Sequence, residues 1–476
     1  MEVKSRWARL RAELRPRPHV SFTPWTVATA VLVALVLLPI ASIVLGVFTG
    51  GSETWDHLAR TVLPLYIGNS VVLVLGVGGL TLVTGVATAW LVTTCDFPGR
   101  RQFEWLLILP LAIPTYIVAY TYAEILAPGG SAQALLGPLL PTERVTGLRS
   151  ALMSLGGVTV MMSLVLYPYV YLITRTSFQK QSGGILESSR ILGKSPWATF
   201  VQVALPMARP AVVAGVTLVL MEVLNEYGAV AYFGVPTFTT GIFRAWFALG
   251  DGPAAIRLSA CLLALVFILI MAERAQRGRA RFDDSARQFR PVVPYRLTGT
   301  KAWAAFVACG VPVLLGFLVP VAQLVAWTVQ VAPATLDGRF VRLTLHSFGL
   351  ATAAAVLAVV VAVVIVYSVR LGPTPLLRLS SRAASLGYSV PGAVIAVGVL
   401  VPFLWLDRRL LDLLQAVGAH PGGLLITGTV AALVFAYVVR FLAVALNPTD
   451  SGFERLCGSL DETSRSLGVS PMRTLL

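Results

Sequence analysis

A ten-residue segment occurs twice in this chain, and its residue types suit a protruding helical corner. The copies, Glu187–Pro196 and Glu462–Pro471, are identical at seven of ten positions and lie 275 residues apart. Neither copy carries a Ser-His-Asp or Cys-His grouping, so they suit binding rather than catalysis. The residues that define the pattern are Glu187, Ser188, Ser189, Gly193, Ser195 and Pro196 in the first copy, and Glu462, Thr463, Ser464, Gly468, Ser470 and Pro471 in the second.

The order of residue types predicts a short helix, a turn and a second short helix. Gly193 suits the position just past a helix end, where the backbone becomes left-handed. Ser195 suits the N-cap of the next helix, and Pro196 suits its first turn. We expect this second helix to run to Leu205-Pro206, where the proline interrupts it. Gly468 and Ser470-Pro471 predict the same corner in the second copy.

The pattern of Glu, two small residues, Gly and a later Leu-Pro resembles the EAA loop of binding-protein-dependent ABC permeases. In that family the loop is the coupling helix that docks on the ATP-hydrolysing subunit. The resemblance implies one docking loop from Glu187, Ser188, Ser189 and Gly193, closed by Leu205-Pro206. It implies a second from Glu462, Thr463, Ser464 and Gly468. Both copies depart from the family by having Ser or Thr where alanines are usual.

Composition places these corners on a helical membrane protein. The chain has 476 residues, of which 56% are apolar and 12% charged. Apolar runs of about 20 residues are long enough to cross a bilayer as helices. The predicted fold is an all-α polytopic membrane protein with about ten spans, and the resemblance implies a duplicated type I ABC importer permease bundle with twelve spans expected. The predicted spans are 25–48, 67–94, 104–127, 151–174, 210–233, 256–272, 302–329, 345–367, 383–406 and 423–446.

The net charge of +15 orients the chain in the membrane. Roughly three quarters of the Lys and Arg residues fall on the side of the N-terminus, as the positive-inside rule requires of the cytoplasmic side. We therefore expect a multi-pass protein of the bacterial inner membrane with a cytoplasmic N-terminus. No basic face is paired with a nucleic-acid-reading module, so no nucleic-acid partner is expected.

The repeat divides the chain into two permease halves. We expect a cytoplasmic tail over 1–24, a first half over 25–272 with its EAA loop at about 177–206, and a basic cytoplasmic linker over 273–301. The second half, 302–476, ends within its own EAA loop at about 448–476. The first half has two more spans after its loop, so a complete duplication predicts two further spans. We therefore expect a truncated, frameshifted or partial sequence, or a decayed gene.

The stretch Glu226–Asp251 looks like the corresponding region of ferric-iron permeases, which implies iron as the solute. Thiamine, polyamine and phosphonate importers share the architecture and stay open as alternatives. Acids within spans are costly and so are candidates for a solute path. Glu222 and Glu226, spaced to share a helix face, and Glu124 are the candidates. Alternatively, these carboxylates bond to Asn225, Tyr227 or backbone at a helix break.

No cofactor is expected on this chain. Gly193-Lys194-Ser195 resembles the end of a phosphate-binding loop, but the first glycine of that motif is replaced by Ser188. The four His and four Cys residues show no ligand spacing, so no metal site is predicted. The expected partners are two ABC ATPase subunits that use the ATP, a periplasmic or lipid-anchored solute-binding protein, and the lipid bilayer. An ATP-independent secondary transporter or channel is the alternative class.

Overall fold

The structure is a computed structural model that describes residues 24–49, 51–136, 141–181, 187–189, 191–277, 294–372, 374–419, 423–456 and 458–475. These ranges are almost entirely helical, because helices satisfy their own backbone hydrogen bonds in lipid. Within these ranges, one strand pairing is present, which joins β1 (Cys95–Asp96) to β2 (Tyr295–Arg296) in parallel. The helices are α1 Pro24–Gly46, α2 Glu53–Thr61, α3 Leu63–Thr94, α4 Arg100–Leu106, α5 Thr115–Ile125, α6 Ser131–Leu136, α7 Thr142–Leu152, α8 Leu155–Lys180, α9 Pro196–Thr199, α10 Leu205–Asn225, α11 Gly228–Tyr232, α12 Phe238–Phe243, α13 Gly252–Arg277, α14 Thr300–Val313, α15 Val319–Thr335, α16 Gly338–Leu371, α17 Pro375–Ala384, α18 Gly392–Ala416, α19 Val430–Arg455, α20 Gly458–Ser466 and α21 Pro471–Leu475.

The chain is a multi-pass membrane protein. Within the described ranges, eight helices are long and apolar enough to cross a bilayer, and a bent pair makes a ninth if it counts as one span. The predicted span 383–406 overlaps α18, which is 25 residues long but carries Asp407, Arg408 and Arg409 in its second half. Two of these eight helices contain a π-helical turn. Pro196–Asn225 contains the turn Phe200–Ala204, and Thr300–Thr335 contains the turn Leu314–Leu318.

The third predicted span, 104–127, is not a continuous helix. Its two parts, Arg100–Ala112 and Thr115–Ile125, meet at an angle of 89°. Pro114 at the break has φ −57° and ψ 140°, an extended backbone that ends one helix and starts the next. Pro391 has nearly the same backbone, with φ −57° and ψ 142°, just before α18. Pro141 has the same backbone before α7, with φ −57° and ψ 142°, so this geometry marks a helix start after proline and is not specific to the repeat.

Two further expectations about helix ends are wrong. Pro206 does not interrupt its helix, because the π turn Phe200–Ala204 precedes it and a proline fits the first turn of α10. The span predicted over 210–233 stops at Asn225, after which Glu226 has an extended backbone. The chain then forms the short helix α11.

One compact unit comprises Gly46–Phe340. Its centre is the packing of α3, α8 and α10, and glycines allow their backbones to approach closely. A Cβ at Gly85 would lie 2.7 Å from the Val170 Cβ, and one at Gly215 would lie 2.9 Å from the Val170 Cα. The same buried cluster includes Cys309 and Val313 of α14. The first span of the second sequence half therefore packs within this unit.

The other compact unit joins α1 to the segment from Val341 onward. The Ser42 hydroxyl in α1 donates to the Gly398 carbonyl at 2.7 Å. A Cβ at Gly398 would lie 2.5 Å from the Pro39 carbonyl oxygen, so the two helices touch backbone to backbone. Near the start of α1, the Ser368 hydroxyl donates to the Trp25 carbonyl at 2.9 Å. Each unit thus contains the first span of the other sequence half, an exchange that the repeat pattern does not reveal.

Candidate docking corners and solute path

The first corner has the local geometry that its residue types predict. Gly193 has φ +76°, in the left-handed region that favours glycine. The Ser195 side chain accepts the Ala198 N–H at 3.2 Å, and Pro196 takes the first helical position. These local predictions are confirmed. Part of the short helix predicted before Gly193 lies outside the described residues.

The second corner repeats the hydrogen bonds of the first. Gly468 has φ +73°. The Ser189 and Thr199 hydroxyls are 2.9 Å apart, and the Ser464 and Thr474 hydroxyls, each 275 residues later, are 2.6 Å apart. Equivalent backbone bonds also match, with Lys194 N–H to Ser189 carbonyl and Val469 N–H to Ser464 carbonyl both at 3.1 Å. The matching side-chain and backbone hydrogen bonds indicate that the two copies of the repeat fold into the same local structure.

Each corner also presents apolar side chains to solvent, which sequence reasoning missed. Leu192 is 78% exposed, and its equivalent Leu467 is 75% exposed. Trp197 and its equivalent Met472 are 72% and 54% exposed. Apolar side chains at matching exposed positions mark a protein-binding surface more strongly than scattered ones do. In the sequence, the signal for this surface is that both copies of the repeat have leucine at the same position, Leu192 and Leu467.

The predicted docking residues differ in what they do in the structure. Glu187 is partly exposed, whereas Ser189 is buried and its hydroxyl lies against that of Thr199. Ser188 is exposed and has an interaction partner. Leu205-Pro206 lies within a continuous helix rather than at a closing break. The side chain of Glu462 lies outside the described residues, and Thr463 is exposed.

The two corners are held by different interactions. Behind the first, the Trp90 ring packs on Phe178 and Phe200, with centroids 5.5 Å and 4.9 Å apart. Behind the second, the Arg370 guanidinium pairs with the Asp461 carboxylate and donates to the Phe453 carbonyl. It also donates to the Leu456 carbonyl at 3.2 Å. Arg370 thus ties the end of α16 to the residues that lead into the second corner.

Replacing Arg370 by Met is expected to loosen α20. The change leaves the Asp461 carboxylate and two carbonyls without this cation, and hydrogen bonds to charged groups each contribute about 1.5–3 kcal/mol. Local opening of 458–466 should become about tenfold to a hundredfold more frequent. Hydrogen–deuterium exchange of these amides measures it. Arg378→Met, which removes an exposed arginine of α17, is the matched control, and equal exchange in both variants would refute the role of Arg370.

Of the candidate path acids, Glu226 lies at a helix break and does not share a helix face with Glu222. The Glu226 carboxylate accepts a hydrogen bond from the Thr115 hydroxyl and the Ala229 N–H, the latter at 2.8 Å. Glu222 is partly buried within α10 and has an interaction partner. The prediction that Glu222 and Glu226 share one helix face is wrong, because the helix ends at Asn225, between the two residues. The hydrogen bond from the Ala229 N–H to Glu226 agrees with the alternative interpretation, in which these carboxylates bond to backbone groups at a helix break.

The helices α5 and α11 lie side by side, with Glu226 and Glu124 at opposite ends of the pair. Thr115 meets Glu226 at one end, and the Tyr232 hydroxyl donates to Glu124 at 3.4 Å at the other. Nine residues of helix separate Thr115 from Glu124, about 13 Å at 1.5 Å per residue. The two carboxylates therefore do not share one site. Across the described part of the chain, no group of three His, Cys, Asp or Glu side chains could hold a metal ion.

Comparison with known proteins identifies a transport domain within the chain and relatives that are transport permeases. Residues 97–281 match the family described as "Binding-protein-dependent transport system inner membrane component". The chain is 25% identical to the Fe(3+)-transport system permease protein FbpB 2 of Haemophilus influenzae, over 94% of this chain and 82% of that protein. It is 25% identical to the sulfate transport permease CysT of Synechocystis over 55% of this chain and 91% of the relative. It is 26% identical to the molybdenum transport permease ModB of Escherichia coli over 42% of this chain and 88% of the relative. The chain therefore carries the binding-protein-dependent transport system inner membrane component domain over residues 97–281 and is similar to an ABC transporter permease over nearly its whole length.

Proposed function

We propose that this permease imports ferric iron across the bacterial inner membrane, driven by two separate ATPase subunits and supplied by a secreted solute-binding protein. The N-terminus lies in the cytoplasm, as do both corners. Each corner docks one ATPase subunit, and closure of the ATPase pair on ATP moves the helices that follow. This chain binds no nucleotide itself.

The duplicated corner is the observation that carries the proposal. Two copies of one exposed turn, each with the same hydroxyl pair and an exposed leucine, suit a motor made of two like subunits. An ATP-independent transporter has no need for two matching protruding surfaces of this kind. The first corner leads directly into the 30-residue helix Pro196–Asn225. Movement at the corner is therefore passed along a helix to the break at Glu226.

Similarity to the ferric permease over nearly the whole chain supports iron. The sulfate and molybdenum relatives match about half of this chain, so the same machine carrying an oxyanion is the second candidate. Thiamine, polyamine and phosphonate remain further alternatives of the shared architecture. Glu222, Glu226 and Glu124 stay candidates for the solute path.

Reconstitution separates these functions. The permease is placed in liposomes with an ATPase subunit and a secreted solute-binding protein of the same organism. We expect ATP-dependent accumulation of radiolabelled ferric iron, and none when the ATPase is omitted. Uptake driven by an ion gradient without the ATPase would refute the importer mechanism. ATP-driven uptake of sulfate, molybdate or thiamine in place of iron would refute the assigned solute alone.

A further inference from the structure

A cavity of about 580 Å³ lies beside the helix break at Glu226, within the Gly46–Phe340 unit. This volume is in the range of small-molecule sites. Its walls combine aromatic rings with a single charged side chain. Tyr66, Tyr227, Thr240, Phe243, Arg244 and Phe247 are the lining residues that matter for recognition.

Packing holds the aromatic wall in place. The Tyr227 and Phe243 rings have centroids 4.4 Å apart, and Phe243 stacks on Phe247 at 6.0 Å with an interplanar angle of 9°. Gly241 permits α12 to lie against the Tyr66 ring, because a Cβ there would come within 2.3 Å of that ring. The wall is therefore built before any ligand arrives.

The charge of the cavity is positive. Arg244 is exposed, and no carboxylate among the described residues forms an ion pair with it. No Asp or Glu lines the cavity. The neighbouring Glu226 turns its carboxylate to Thr115 and Ala229 instead. The next acid along the chain, Asp251, caps the Ala254 N–H at 2.9 Å and accepts from the Ser52 hydroxyl at 2.6 Å.

The cavity is linked to the first corner through one helix. Pro196 begins the helix at the corner, and Asn225 ends it next to the cavity. At 1.5 Å per residue this helix is about 45 Å long, enough to cross the bilayer. The cavity thus lies at the far end of the element that the corner would move.

We propose that this cavity receives the oxyanion group of an anionic solute, held by the Arg244 guanidinium within the aromatic wall. Guanidinium groups bind carboxylates and oxyanions by charge-assisted hydrogen bonds, whereas a bare metal cation would be repelled. The inference rests on the proposed import function and narrows it. Ferric iron would enter as an anionic chelate, and a free oxyanion has the same chemistry.

Ligand binding to the full-length chain, in nanodiscs with its ATPase, tests the proposal. The probes are radiolabelled ferric citrate, molybdate and sulfate in neutral phosphatidylcholine, and the three probes separate a chelate from a free oxyanion. We expect at least one to bind, and Arg244→Gln to weaken that binding about tenfold to a hundredfold. Arg244→Lys should recover part of it. Arg60→Gln, at an exposed arginine outside the cavity, should bind as the unchanged protein does.

Two results in these nanodiscs would overturn the cavity assignment: equal binding by Arg244→Gln and the unchanged protein, and no binding of any of the three anions. In a second set of nanodiscs that contain phosphatidylglycerol, Arg244-dependent retention of that lipid without solute binding would also overturn it. Co-purification of the ATPase is read in the same samples. If the ATPase is retained while these results appear, the cavity inference fails and the proposed import function stands. If the ATPase does not associate with the unchanged protein, the proposed function fails first.

Discussion

We expect the double variant Leu192→Asp with Leu467→Asp to lose its ATPase subunits and ATP-driven uptake while keeping its fold. Both leucines are largely exposed in the permease, at 78% and 75%, so a charge there does not disturb its core. Burying a leucine in a partner's groove contributes about 1.5–3 kcal/mol. Each single variant should therefore weaken ATPase association about tenfold or more, and the double variant should abolish it. Co-purification of the ATPase and ATP-dependent uptake in liposomes measure the effect.

A matched control separates docking from a general effect of surface charge. Leu336 and Val417 are 65% and 85% exposed and lie outside both corners. The double variant Leu336→Asp with Val417→Asp should keep full ATPase association. Retained association in the corner double variant, or equal loss in the control, would contradict the docking role.

Replacing Gly85 by Leu is expected to prevent correct folding. Its new Cβ would lie 2.7 Å from the Val170 Cβ and 3.0 Å from the Tyr167 carbonyl oxygen, so α3 and α8 would have to separate. A Cβ built at Gly215 of α10 would lie 2.9 Å from the Val170 Cα, so α8 is also closely packed against a third helix at this residue. Overpacking of a close-packed core costs about 1–3 kcal/mol and occasionally more, and here a backbone oxygen is among the atoms that must move. Size-exclusion chromatography and the thermal unfolding midpoint test it.

The same helix offers the control for this substitution. A Cβ at Gly79 meets nothing within 4 Å, so Gly79→Leu should yield folded protein with an unchanged midpoint. Gly85→Leu protein that is monodisperse and unfolds at the unchanged temperature would show that the α3–α8 contact tolerates separation.

The corners could be predicted from the sequence because their chemistry is local. A left-handed glycine and a serine N-cap followed by proline depend on a few adjacent residues, and Gly193, Ser195 and Pro196 adopt these conformations. The repeat then extends the argument to Gly468. The membrane class followed as directly from long apolar runs.

Helix ends and packing partners could not be predicted in the same way. Apolar composition is the same before and after Asn225, so it does not locate the break there. The π turn that accommodates Pro206 depends on packing around Phe200–Ala204. The exchange of α1 and α14 between the two units leaves no periodic signature, because both are apolar on all sides. The cavity joins Tyr66 to Arg244 across more than 170 residues, beyond the reach of any motif.

Site-specific cross-linking tests the central claim, that the corners are the docking surfaces of the ATPase, most directly. Leu192→Cys and Leu467→Cys are introduced singly into a variant with the four native cysteines replaced, and each is expressed with the ATPase and a short bifunctional cross-linker. Both positions should give a permease–ATPase adduct, and Leu336→Cys should give none. Adducts from Leu336→Cys but from neither corner would contradict the account.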